Sequence, residues 1–129
     1  MLRPADRICS VVICDDSASI RRALHFVLAA ESRIEVVGEA SNGLEAIDAA
    51  RTARPDVLLL DVSMPLMDGI EALPHILSAS PCTRILMMTA LPSPETKARA
   101  LEAGATDYVV KDTGIPDLIQ HILRCAAVP

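Results

Sequence analysis

A chain of 129 residues, 51% hydrophobic and 22% charged, is long enough for one folded domain and too apolar to be disordered. Its formal net charge of -5, single Phe, single Tyr and lack of Trp exclude the cationic field and stacking platform that nucleic-acid binding uses, so no direct nucleic-acid contact is expected of this domain. No apolar run approaches the roughly 20 residues that cross a bilayer, and Met1-Leu2-Arg3-Pro4-Ala5-Asp6-Arg7 lacks a signal-peptide core, so no membrane partner and a cytoplasmic location are expected.

Ile8 to Cys14 is an apolar, β-branched run that stops at Asp15-Asp16. Ser17 then opens a helical pattern in which Ile20, Leu24, Val27 and Leu28 share a face. Ile34 to Gly38 reads as a second strand, and Asn42-Gly43-Leu44-Glu45 as a capping box before a helix with the slim stripe Ala46, Ile47 and Ala50. Val57-Leu58-Leu59-Leu60-Asp61 is the centre of the chain: four large apolar residues running into one carboxylate predict a strand buried on both faces that ends at Asp61. Asp68-Gly69-Ile70-Glu71 is a further capping box, opening a helix to about Leu77 in which Pro74 deletes one backbone bond and is expected to produce a kink. Ile85 to Met88 is the fourth strand, leading into Thr89. The helix after it is capped by Ser93, has Pro94 at its first position, ends at Gly104, and carries Leu101 as its one large apolar anchor. Asp107 to Val110 is the last strand, with Lys111 at its exit, and Ile115, Leu118, Ile119, Ile122 and Leu123 form the stripe of a closing amphipathic helix.

Five strand–helix units in alternation imply a parallel sheet with helices on both faces. At the carboxyl ends of its strands, where such sheets bind ligands, stand Asp15, Asp16, Asp61, Thr89 and Lys111. Crowded carboxylates repel one another unless a cation intervenes, and an all-oxygen, partly hydrated set with few carboxylates suits Mg²⁺ better than Ca²⁺. A carboxylate nucleophile, a hard metal, a fixed cation and a hydroxyl are the parts that phosphoryl transfer needs, with Asp61 as the nucleophile. Taken singly, Asp16 and Asp68 are also candidates for helix caps. Cys9, Cys14, Cys82 and Cys125 show no CxxC spacing and read as buried free thiols, with Cys9 and Cys14 on opposite strand faces.

Asp15-Asp16 after the first strand, Asp61 with Met64-Pro65-Leu66-Met67-Asp68-Gly69, Thr89-Ala90, and Tyr108 ahead of Lys111 together resemble the receiver domain of two-component response regulators, from Ile8 to Arg124. The resemblance implies a doubly wound, flavodoxin-like, five-stranded sheet of order 2-1-3-4-5, and one receiver domain over 1–129 with a core of about 8–124. It implies that a sensor histidine kinase phosphorylates Asp61. Asp16, Asp61 and the Ser63 carbonyl would hold Mg²⁺, Asp15 would act mainly through a water on the ion, and Lys111 would pair with the phosphoryl group. Thr89 and Tyr108 would switch, altering the output face formed by the Ser93–Ala103 helix, the last strand and the final helix. An output domain or downstream protein would read that face, with a homodimer on phosphorylation as one form. Beyond turning over its own phosphate, no enzyme activity is expected. Asp112 stands where many receivers place a proline, as in the subgroup with helix-turn-helix outputs in transcription regulation, while Asp68 to Leu73 also looks like chemotaxis methylesterase receivers. The residues leave two alternatives. One is a receiver-like interaction domain not regulated by phosphorylation, against which the intact acidic and lysine positions weigh. The other is an aspartyl-phosphate hydrolase, expected to carry Asp-x-Asp where this chain has Asp15-Asp16-Ser17.

Overall fold

The computed structural model of the chain describes residues 7–128. Ten elements alternate along it: β1 (Cys9–Cys14), α1 (Ala18–Ala29), β2 (Ile34–Ala40), α2 (Gly43–Ala53), β3 (Val57–Asp61), α3 (Gly69–Ala79), β4 (Arg84–Thr89), α4 (Pro94–Glu102), β5 (Asp107–Val110) and α5 (Ile115–Ala126). All five strands are parallel, in the order β2-β1-β3-β4-β5, as the alternation and the resemblance predict.

The alternation of strand side chains divides the core into two layers. Val57 and Leu59 of the fully buried β3 face one layer with Leu24 and Leu28 of α1 and Leu118 and Ile122 of α5. Leu58 and Leu60 face the other, with Ala46 and Ala50 of α2 and Leu73 and Ile76 of α3. Each such side chain contributes about 1.5–3 kcal/mol on leaving water, so β3 is firmly held on both faces along its whole length, and Asp61 is carried on its end. Cys9 and Cys14 fall in opposite layers, as alternation requires, and burial pushes the Cys9 thiol up to about 12. Cys82 corrects the expectation of four buried thiols: it lies in the turn before β4 and is exposed.

Local details depart from the sequence reading in four places. Asn42 caps α2 by accepting from the Glu45 amide, but the Glu45 carboxylate reaches back to the Ser41 amide and hydroxyl rather than to Asn42. Ile115 lies at the start of α5, beyond the edge of the core, and is exposed. Leu101 is 43% exposed, and α4 buries Ala100 instead, so this helix is attached even more lightly than its composition suggests. The third helix runs through Pro74 to Ala79, two residues past the expected end, although a proline cannot supply the amide that the Ile70 carbonyl would otherwise accept.

The end of α2 is held by Arg54 in the left-handed region, at φ 44° and ψ 58°. A side chain there costs about 1–2 kcal/mol, and glycine avoids that cost while losing about 0.5–1 kcal/mol of chain entropy. Arg54→Gly should therefore raise stability by about 0.5–1 kcal/mol in urea melts, and a loss would show that the arginine side chain itself holds the turn.

Candidate functional site

The carboxyl edge of the sheet brings Asp15, Asp16, Asp61, Thr89 and Lys111 together. Asp15 leaves β1 almost fully buried, at 2% exposure. Its amide donates to the Ala40 carbonyl at 3.0 Å, and its Oδ1 accepts from the Ser17 amide at 2.9 Å. Ser17, not Asp16, caps α1, its hydroxyl accepting from the Ile20 amide. The Asp16 side chain is thus free of the capping role and faces solvent beside the pocket. Asp15, Asp16 and Asp61 each offer an oxygen within 4.8 Å of the others.

Asp61 is 4% exposed and receives the Ser63 amide at 3.2 Å on Oδ1. Beyond it the chain turns through Leu66, at φ 68°, and returns so closely that the Gly69 amide donates to the Val62 carbonyl at 2.8 Å. A Cβ on Gly69 would stand 2.2 Å from the Asp61 carbonyl oxygen, so only glycine lets α3 begin this near the strand exit. Asp68 then forms the reciprocal capping box with Glu71.

Lys111 joins the two inner acids. Its Nζ lies 2.6 Å from Asp15 Oδ2 and 3.0 Å from Asp61 Oδ2, and its amide donates to the Thr89 carbonyl at 2.7 Å. Burial works against the lysine's charge, but hydrogen bonds to Asp15 and Asp61 outweigh it and hold its pKa above the ordinary value. For Asp61, burial raises the pKa and the charge of Asp15 adds to it, while Lys111 and the Ser63 amide pull the other way without cancelling the rise. The pocket gathers three acidic side chains around one ammonium. Three carboxylate oxygens without nitrogen or sulfur donors fit a hard divalent cation.

Thr89 is buried at the end of β4 with its hydroxyl turned to its own loop, accepting from the Leu91 amide at 3.1 Å and lying 3.2 Å from the Leu91 carbonyl. Tyr108 packs on the α2–α3 layer with its hydroxyl buried, and among the described residues that oxygen has no hydrogen-bond partner. Two residues at this edge escape a reading of the sequence: Arg21 and Glu39, whose guanidinium and carboxylate lie 3.4 Å apart beside Asp15. The available signal is that Arg21 sits in the first turn of α1, which carries no acidic residue.

A 2-1-3-4-5 sheet with a hard-cation pocket, a hydroxyl and a lysine at its carboxyl edge defines a flavodoxin-like receiver architecture. Residues 11–123 match the family described as response regulator receiver domain. The chain is 42% identical over 110 residues to the uncharacterized transcriptional regulatory protein YhcZ of Bacillus subtilis, covering 85% of this chain and 51% of that protein. It is 45% identical over 128 residues to a protein-glutamate methylesterase/protein-glutamine glutaminase of Vibrio parahaemolyticus, covering 91% of this chain and 34% of the relative. The response regulator domain of Thermotoga maritima CheB superposes with a TM-score of 0.88 at 33% identity, covering 95% of this chain and 99% of that one. The chain belongs to the receiver domain family of two-component response regulators, and it spans about a third to a half of the length of these two curated relatives.

Proposed function

We propose that the chain takes a phosphoryl group on Asp61 from the phosphohistidine of a sensor kinase and converts that event into a change of its α4–β5–α5 face. In this step an Asp61 carboxylate oxygen attacks phosphorus, the P–N bond breaks, and the imidazole leaves with the electron pair and takes up a proton. Asp15, Asp16 and Asp61, with the backbone carbonyl of Ser63, would hold Mg²⁺, which when bound offsets the charge of the phosphoryl oxygens. Lys111 stays beside Asp61 as the fixed cation for the added charge. The Thr89 hydroxyl exchanges its bonds within the Leu91 turn for one to a phosphoryl oxygen, loosening the loop that leads into α4. That helix is anchored by Ala100 alone among its residues, so shifting it costs little.

The observation that carries this reading is the Lys111 ammonium shared between Asp15 and Asp61, with the Asp16 oxygen close by. By this reading residues 1–129 form one receiver domain in the cytoplasm, with its core at about 8–124, and its activity is confined to its own phosphorylation and dephosphorylation. Asp112 after Lys111 and the likeness to YhcZ favour an output in transcription regulation, through an attached domain, a separate partner or a phosphorylation-dependent dimer. The likeness to methylesterases supports an attached enzyme as the other output. The test is intact-mass analysis after incubation with acetyl phosphate, with and without Mg²⁺. Wild type should gain one phosphoryl group only with Mg²⁺, and Asp61→Asn none. Equal labelling of both proteins would defeat the assignment.

A further inference from the structure

All four polar groups of Asp15 are engaged, the amide directly by the end of β2 and the carbonyl by Arg21 of α1. The Asp15 amide donates to Ala40, the last residue of that strand. The Asp15 carbonyl accepts from Arg21 Nη1 at 2.6 Å, and Arg21 Nε in turn faces Glu39 Oε1 at 3.4 Å, with His25 Nδ1 3.3 Å from the other Glu39 oxygen. The register pairs Ile13 with Glu39 and Cys14 with Ala40, so of two consecutive residues of one edge strand Ala40 bonds Asp15 directly and Glu39 acts on it through Arg21. The arrangement is locally unfavourable for α1, because a cation folded back over a helix N-terminus opposes the helix dipole. Its compensation lies in the carbonyl that it holds. Because the Asp15 carbonyl and the Asp16 amide share one planar peptide, fixing that oxygen fixes where the Asp16 chain departs.

We infer that Arg21, braced by Glu39, is a positioning residue that sets the Asp15–Asp16 peptide so that the exposed Asp16 carboxylate meets Asp15 and Asp61 as one cation site. This rests on the Mg²⁺ reading above and adds two residues that would act without being ligands of the ion. It also predicts a sign. By charge alone, deleting a cation beside an acidic pocket should tighten Mg²⁺ binding. Loss of positioning should weaken it, as loss of groups that orient metal ligands does, by about tenfold.

The experiment titrates the full chain with Mg²⁺ alone by calorimetry and measures amide exchange without metal, comparing wild type with Arg21→Ala, Arg21→Lys, Glu39→Gln and, as a charge control on the same helix, the exposed Arg22→Ala. Arg21→Ala should bind Mg²⁺ about tenfold more weakly, with Arg21→Lys and Glu39→Gln in between and Arg22→Ala equal to or tighter than wild type. The Ser17 amide should exchange faster in Arg21→Ala, while amides at the far end of α1 do not change. Unchanged or tighter Mg²⁺ binding in Arg21→Ala would overturn the inference, and should that variant fail to fold, undiminished binding by Glu39→Gln would do so. If wild type binds no Mg²⁺, the metal reading itself fails. An unchanged Ser17 exchange rate would then remove the clamp as well, and a faster one would preserve it as a clamp on the loop.

Discussion

Lys111→Met should lower the unfolding free energy by about 3 kcal/mol in Mg²⁺-free buffer at neutral pH, one of the largest losses available from a single polar side chain in this domain. Lys111 is the ammonium that bridges Asp15 and Asp61, and both of those carboxylates are almost fully buried. With methionine in its place, the effects that raise the Asp61 pKa, burial first and then the neighbouring charge of Asp15, act without the lysine's opposition. A carboxylate whose folded-state pKa lies above its unfolded value favours the folded state when protonated. The deficit should therefore be small in acid, grow as the pH rises through the unfolded carboxylate range, and be complete above the folded value. Millimolar Mg²⁺ should recover part of it, because a cation bound only by the folded state stabilises that state. Urea melts across pH with and without Mg²⁺ measure all three effects. A variant as stable as wild type at neutral pH without Mg²⁺ would mean that the two acids are solvated rather than balanced by Lys111.

A larger disruption is expected from Gly69→Val. The first added carbon would stand 2.2 Å from the Asp61 carbonyl oxygen, 3.1 Å from its carbon and 3.2 Å from Leu60 Cγ. Two of those three atoms are backbone and cannot swing aside, so either the end of β3 or the start of α3 must move. Overpacking of this kind costs about 3 kcal/mol or more. Because the displaced atoms belong to Asp61 itself, phosphorylation should fail even in the fraction that remains folded. Chemical melts measure the first effect and acetyl phosphate labelling at a temperature below the melt the second. A variant that folds and labels like wild type would show that the turn from Val62 to Asp68 can be rebuilt without moving the site.

Much of this molecule is legible in its sequence because local and tertiary preferences agree. Val57 to Leu60 can satisfy four consecutive large apolar side chains only as a strand covered on both faces, and that is where they lie. Asp68 and Ser93 cap their helices because each has a short oxygen chain one residue before a helical run. The sequence misleads where choices are nearly equal in energy. Asp16 and Ser17 are both good caps, and Ser17 takes the role while the neighbouring Asp15 carboxylate accepts the Ser17 amide. On α4, Leu101 is the large apolar residue, yet Ala100 is the one that the helix buries. At the site, the strand exits place the acids, the threonine and the lysine through register alone. The Thr89 hydroxyl's choice of its own loop and the Arg21–Glu39 contact depend on side-chain rotamers and on two distant segments meeting. No periodicity in the chain encodes either.

Asp61, and no other carboxylate of the pocket, is the proposed carrier of the phosphoryl group. Borohydride reduction of the labelled protein converts an aspartyl phosphate to homoserine, and peptide mapping then locates it. Homoserine is expected at position 61 alone, with a yield dependent on Mg²⁺; homoserine at position 15 or 16, or a yield indifferent to Mg²⁺, would overturn the assignment of Asp61.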